Sequence, residues 1–483
     1  MSASQSSAVF TQVADDIRGF SPWLRQVAVL IGDVAALSIA LALALGIRWL
    51  IGGIFTFEQY VALWPLPLLV VGLFASFKLY ADLPPSASEE LRRICHGLTL
   101  GFVLLGTVTF LLRSGTLYSR SALIGAWALA LVLVPVMRVL LRRRFARASW
   151  WGTPAVILGA GRTAELLVRV FSSNPTLGVR PVLVLDDDQA KHSTQLYGIP
   201  VLGPIDELAP QAHAAGIALA FLAMPGASQE RLTSLWRTHG PRFPHLVVVP
   251  ALYGFASLWV EAKDFGGVLG LELHQSLLLP WRRACKRALD LSLVVLGGIV
   301  VVPLLLVIAL LVKVTSAGPL IYGQSRIGQG GRAFTAWKFR TMRRDADAVL
   351  AQLLAADPVL RGEWERDHKL RVDPRVTWVG SILRKTSLDE LPQLWNVLVG
   401  EMSLVGPRPI TTAEIPKYGD QWEVYLRVLP GVTGLWQVSG RNQTTYDERV
   451  ALDTFYVHNW SPWLDLVILA RTVQTVVRAE GAY

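Results

Sequence analysis

Two cysteines in 483 residues, Cys95 and Cys285, leave neither a disulfide framework nor a thiolate metal site to consider. They lie far apart beside apolar segments, where thiols are usually buried and inert. Charge is scarce as well: 17% of residues are charged against 52% hydrophobic, a balance that excludes a wholly soluble chain of this length. No zinc-finger spacing or RNA-binding pattern accompanies the formal charge of +10, which argues against nucleic acid as a partner. Anionic lipid and polyanionic small molecules remain.

Long apolar runs are what the chain has in quantity. Four of them, at about 24–50, 60–80, 95–112 and 121–141, approach the roughly 20 residues a bilayer core requires, predicting a four-helix membrane domain over 1–148. The first run is too long and starts too late for a cleaved signal peptide, so it is expected to stay in the mature chain. Arg18 and Arg25 precede it, Arg92 and Arg93 lie between the second and third runs, and Arg138, Arg142, Arg143, Arg144 and Arg147 cluster near the end of the fourth. Residues 52–59 hold no Lys or Arg, so the positive-inside rule puts the N-terminus and everything after residue 145 in the cytoplasm.

From Thr153 the runs PAVILGAG, PVLVLDDD, GIPVLG, ALAFLAMPG and HLVVVP alternate with helical stretches, predicting a Rossmann-like α/β domain with a parallel sheet over 149–265. Gly159-Ala160-Gly161 after the first strand and Asp186 to Asp188 after the second approach a dinucleotide fingerprint, with Ala164 where a third glycine is usual. A bound nucleotide and a close-packed structural turn both account for Gly159 and Gly161. The loops carry no His, Cys or Lys constellation, which favours a regulatory or architectural role.

The run LDLSLVVLGGIVVVPLLLVIALLVKV, 289–314, is long enough for a fifth span. Its flanks oppose that, because Arg282, Arg283, Lys286 and Arg287 precede it and Lys313, Arg326, Arg332, Lys338 and Arg340 follow, asking for both ends on the cytoplasmic side. Pro303 lacks an N–H and crowds the preceding turn, and Gly297 and Gly298 loosen the same region. A break at Pro303 and a re-entrant hairpin over about 288–314 are expected, with an ordinary kinked span as the alternative.

The chemistry concentrates between Arg384 and Pro409, RKTSLDELPQLWNVLVGEMSLVGPRP, where the carboxylates Asp389 and Glu390 lie among Arg384, Lys385 and Arg408. A carboxylate can attack a phosphoryl group or hold a magnesium ion, and cations nearby can neutralise phosphate oxygens. Upstream, Lys338 and Arg340 are two apart and share a face if the segment is a strand. Ser387 to Glu390 also fits a capping box, and Pro392 favours a helix starting at about Asp389, so Asp389 is expected at a helix N-terminus on either account.

KRALD (286–290), YGQSRIGQGG (322–331), KFRTM (338–342), the 384–409 stretch, PGVTGLWQVSGRN (430–442) and NWSPWLDLVIL occur together and in order. The region from about Arg282 to Tyr483 thereby resembles the bacterial polyprenyl-phosphate hexose-1-phosphate transferases, the large monotopic phosphoglycosyl transferases. GLWQVSGRN and YDERVALDTFYVHNWS are more similar to the galactose branch than to the glucose branch. The resemblance implies a membrane helical bundle, a Rossmann-like α/β domain and a monotopic α+β catalytic domain, 266–483, with a re-entrant membrane helix. By the same resemblance Asp389 is the nucleophile toward a UDP-hexose, and undecaprenyl phosphate takes the hexose phosphate from it. Glu390 is then the Mg2+-associated carboxylate, and Lys338, Arg340, Arg384, Arg408 and Arg441 are phosphate or uridine contacts. It further implies a bacterial inner-membrane location, a homodimer and polysaccharide synthesis. The family's usual serine before the break is Val302 here. A membrane-anchored nucleotide-sugar oxidoreductase is the rival from another class, but the α/β domain has no Tyr-x-x-x-Lys pair; a non-catalytic scaffold is the other.

Overall fold

The computed structural model describes residues 22–52, 65–81, 85–111, 119–249, 260–264, 269–273, 277, 280–343, 346–356, 361, 373–439 and 444–478. Two compact units, Met1–Leu252 and Tyr253–Tyr483, make up the chain.

The first unit opens with four helices, α1 (Pro22–Leu50), α2 (Pro65–Ser76), α3 (Ala87–Leu111) and α4 (Arg120–Phe145). Of these α1, α3 and α4 are long and apolar enough to cross a bilayer; α2 has 12 residues, with 53–64 outside the described residues. Alanines spaced by four, Ala36, Ala40 and Ala44 on α1 and Ala122, Ala126 and Ala130 on α4, are buried, as expected where helices pack through small side chains. Arg138 is not a free orienting cation. It is 3% exposed and meets Asp33 at 2.6 Å and Glu90 at 2.9 Å, while Arg142 also pairs with Glu90 and Tyr80 donates to Asp33. An ionic knot inside apolar helices persists only when each charge is matched, and here it ties α1, α3 and α4 together.

The same unit continues through β1 (Thr153–Leu158), α5 (Arg162–Ser173), β2 (Val179–Leu185), β3 (Gln195–Leu196), β4 (Ile199–Leu202), α6 (Ile205–Ala214), β5 (Leu219–Leu222), α7 (Gln229–His239) and β6 (His245–Val248). The sheet order is β3-β4-β2-β1-β5-β6, parallel except at β3. Every residue of β1 and β5 is buried, which explains why these strands read as unbroken apolar runs. Arg25 of α1 donates to Thr153 Oγ1 at 3.0 Å and joins the helices to β1.

In the second unit a hairpin, β7 (Val260–Asp264) and β8 (Leu269–Leu273), precedes α8 (Pro280–Thr315), whose 36 residues extend about 54 Å if straight. The expected break at Pro303 is not an interruption: helix continues on both sides, because a proline deletes one hydrogen bond and a bend can absorb its ring. Near its start, Val294 packs with Val397, Met402 and Leu394; near its end, Leu305, Ile308 and Val312 pack with Phe339, Val379, Leu383 and Leu388. Between them Val295, Leu296, Ile299 and Val300 are 66–77% exposed. The root of α8 is fixed by Lys286, whose Nζ lies 2.9 Å from both Asp290 and Asp465; Ser403 donates to Asp290, and Tyr456 and Trp460 donate to Asp465.

There follow β9 (Ile321–Ile327), β10 (Ala333–Phe339), α9 (Ala346–Ala356), α10 (Trp378–Thr386), a 3₁₀ turn Leu388–Glu390 and α11 (Gln393–Val399). The unit closes with β11 (Ser403–Val405), a 3₁₀ stretch Thr412–Gln421, α12 (Trp422–Leu426), β12 (Gly431–Thr433), α13 (Leu435–Val438), α14 (Tyr446–His458) and α15 (Pro462–Arg478). β9 and β10 form an antiparallel hairpin, and β11 pairs in parallel with β12. Val405, Leu435, Tyr456, Trp460 and Ile468 form the core between β11, α14 and α15.

Candidate active site

The hairpin β9–β10 supplies one wall. Its register sets Arg326 opposite Phe334 and Tyr322 opposite Lys338, so the period-two alternation puts Arg326 and Lys338 on one face. Asn396 of α11 docks this hairpin against the carboxylate corner: its side chain accepts from Trp337 N at 3.2 Å and donates to Thr335 O at 2.8 Å, filling hydrogen-bonding positions along β10. Lys338 Nζ then reaches Glu390 Oε1 at 2.6 Å, both side chains about one-fifth exposed.

The corner itself corrects the expected capping. Ser387 is left-handed, φ 54°, ending α10, and its side chain caps nothing; a capping serine requires extended backbone. Asp389 is therefore in the middle of a single 3₁₀ turn, and α11 starts only at Gln393. Burial, and then the neighbouring Glu390 carboxylate, push Asp389 up to about 6 against the pull of Lys338 and Arg384. For Glu390 burial is outweighed by Lys338, Arg408 and Arg326, which hold its carboxyl below the ordinary range. Two adjacent carboxylates thus differ in their hold on a proton.

The third wall is the GPRP turn. Gly406 and Gly431 lie backbone to backbone, where a Cβ on Gly406 would come within 2.6 Å of Leu429 O and 2.8 Å of Gly431 N. Arg408 follows, 5.7 Å above the Trp436 ring, with Arg449 4.7 Å from the same ring. The resulting cleft is lined by Arg326, Ala336, Lys338, Glu390, Gln393, Arg408, Pro409, Val432 and Gln437.

Lys338, Glu390 and Arg408 therefore come together, and Arg384 is close enough to act on Asp389 while its Nε donates to Thr341 Oγ1 at 2.9 Å. Arg340 lies elsewhere: β10 ends at Phe339, and Arg340 donates to Ser316 O at 2.6 Å beyond the end of α8. Arg441 falls outside the described residues. Arg326, Gln393 and Gln437 went unassigned, although Arg326 was legible once YGQSRIGQGGRAFTAWKF is folded as a hairpin about its glycine turn.

Among the described residues no three acidic, His or Cys side chains converge on a metal position, so an all-protein cage is absent there. Asp389 and Glu390 are hard oxygen donors of the kind Mg2+ shares with substrate phosphates, and they fit that sort of site. At the other glycine turn, Ala160 N donates to Asp186 Oδ2 at 2.5 Å, and the Met224 side chain occupies the space a side chain on Gly159 would need. That turn is largely taken by the chain's own groups, with open space only beside Gly161.

Cations converging on two unequal carboxylates, in a unit bearing an exposed apolar helix, define a membrane-associated enzyme that handles phosphate. The family model for bacterial sugar transferases matches residues 281–479, and one for a CoA-binding domain matches 82–239. The UDP-galactose-lipid carrier transferase of Erwinia amylovora is 38% identical over 373 residues, 76% of each chain. The undecaprenyl-phosphate galactose phosphotransferase of Salmonella typhimurium is 38% identical over 372 residues, 76% of this chain and 77% of that one. The UDP-glucose:undecaprenyl-phosphate glucose-1-phosphate transferase of Escherichia coli is 33% identical over 336 residues, 68% of each. The chain belongs to the bacterial sugar transferases and is an enzyme of the phosphoglycosyl transferase kind.

Proposed function

We propose that the enzyme moves hexose-1-phosphate, galactose-1-phosphate in the first instance, from a UDP-hexose to undecaprenyl phosphate. The observation that carries the reading is the difference between Glu390, which lines a cleft with Arg326, Lys338 and Arg408, and its neighbour Asp389, which borders that cleft within reach of Lys338 and Arg384. An Asp389 oxygen attacks the β-phosphorus; the bond to the UMP oxygen breaks, and UMP leaves. A phosphate oxygen of undecaprenyl phosphate then attacks the same phosphorus, the bond to Asp389 breaks, and the carboxylate is restored. A covalent relay suits one site that must serve a soluble donor and a lipid acceptor in turn. Lys338 and Arg408 balance the phosphate oxygens as charge moves. Mg2+ bound at Glu390 with the substrate phosphates would add further charge neutralisation.

The catalytic unit belongs on the cytoplasmic face of the inner membrane, with α8 entering and leaving by the same face. Support comes from Val294 on one side of the exposed stretch, and Leu305, Ile308 and Val312 on the other, packing on this one unit. Trp378 and Ile382 on α10 and Trp395 on α11, each at least 50% exposed, suit a surface resting in the lipid headgroups. The exposed Leu166, Val170 and Leu177 of the α/β domain suit a homodimer contact, which the mass of the complex in nanodiscs checks.

The test is UMP release from UDP-galactose by the Asp389→Asn chain, with trapping of labelled sugar phosphate on the wild type given no lipid acceptor. Loss of release by the variant and an adduct on Asp389 are expected. Full activity of Asp389→Asn, or no adduct, would sink the mechanism; a panel of UDP-sugars decides between galactose and glucose.

A further inference from the structure

The polar groups lining the cleft are mostly donors: Arg326, Lys338 and Arg408 are obligate ones, and Glu390 is already engaged by Lys338. Gln437 stands apart from them. Its Oε1 is buried and has no hydrogen-bond partner among the described residues. Burying an amide oxygen without a donor is costly, and a purely structural carboxamide would normally turn to find one. Backbone rather than a side chain borders it on one side. Gly434, which N-caps the short helix carrying Gln437, is buried; a Cβ there would come within 2.5 Å of Gly406 O and 3.2 Å of Gln437 Oε1. Three cations account for a diphosphate, but cations cannot read a hydroxyl or an imide N–H with an acceptor. An unused acceptor can.

We propose that Gln437 Oε1 is a recognition group that accepts a hydrogen bond from a neutral donor on the nucleotide sugar, a sugar or ribose hydroxyl or the uracil imide N–H. This rests on the reading that the cleft takes a UDP-hexose. Because the acceptor is unsatisfied before the ligand arrives, removing it should weaken binding without weakening the fold. That combination separates recognition from a structural role, in which stability would fall instead.

The experiment is calorimetric titration of UDP-galactose into the full chain in nanodiscs, in an Asp389→Asn background that prevents turnover, with and without Gln437→Leu. A loss of affinity of about tenfold or more is expected, with an unfolding temperature equal to or above that of the parent. Gln437→Met is the second variant if Leu does not fold. Titration of UMP locates the donor: an equal loss assigns it to the uridine, and an unchanged UMP affinity assigns it to the hexose. Unchanged UDP-galactose affinity in either folded variant overturns the assignment, as does a lowered unfolding temperature without an affinity loss. Failure of the transfer reading is separate and shows earlier, as wild-type enzyme that binds UDP-galactose yet releases no UMP.

Discussion

Replacing Asp453 by Asn should stabilise the catalytic unit at pH 7.5 relative to pH 5, a reversal of what loss of an ordinary surface carboxylate does. Asp453 is 2% exposed on α14, Tyr418 donates to its Oδ2 at 2.9 Å, and the Arg408 backbone N–H also acts on its carboxyl. Burial pushes its carboxyl up to about 8, although Tyr418 and the nearby Arg408 favour the anion. The sign follows from proton counting. A group with a raised folded value carries a proton in the folded protein that the unfolded chain has lost, so stability declines as pH climbs through the window from about 4 to 8. Each pH unit inside that window is worth about 1.4 kcal/mol, so wild type should lose about 3 kcal/mol between pH 5 and 7.5 that an isosteric, uncharged Asn does not lose. For a unit of this size that is roughly 6–12 °C in unfolding temperature. Thermal unfolding of both proteins in nanodiscs at the two pH values measures it. A gap that is the same at both would refute a neutral Asp453. A gap that opens in the opposite direction would mean that an Asp453 anion is paired with Arg408. Under the proposed mechanism, a neutral Asp453 would leave the Arg408 charge for substrate phosphate.

Lys338→Met leaves Glu390 without its ion pair and should lower kcat/KM for UMP release on the order of a hundredfold; with Glu390→Gln added, the double variant should be no worse than the poorer single one. Lys286→Met strands Asp290 and Asp465 beneath α8 at a cost of about 3–5 kcal/mol, read as loss of folded protein from membranes, and adding Asp465→Asn should recover part of it. The exposed Cys285 reports one end of α8, and Ala317→Cys with Cys285→Ser reports the other, both in a Cys95→Ser background. An impermeant maleimide should label both from the same side of oriented vesicles. Labelling from opposite sides would make α8 an ordinary span.

The membrane helices, the α/β sheet and the acidic pair were legible because each is written locally: apolar length, alternating strands and helices, and charges crowded into one stretch. What was not legible depends on register and backbone handedness. Lys338 and Arg340 are two apart in sequence, yet the strand ends between them, and only Lys338 enters the cleft. Ser387 to Glu390 reads as a capping box, but a left-handed Ser387 removes that option. Arg138 counts toward orientation until Asp33 and Glu90, from distant helices, close on it. Arg326 shares a face with Lys338 only after the hairpin turn is placed. Gln437 carried no signal of its own; an acceptor without a donor is visible only when its surroundings are known.

The tight 3₁₀ turn beneath Asp389 and Glu390 has a consequence for how one small corner serves two tasks. Neighbouring residues on such a turn project about a third of a revolution apart. Side by side in sequence, the two acids share Lys338 but differ in the rest of their company, Arg384 for Asp389 and Arg408 with Arg326 for Glu390. Burial and the Glu390 charge lift Asp389, while Lys338, Arg408 and Arg326 hold Glu390 low, so one short turn carries two acids with different holds on a proton.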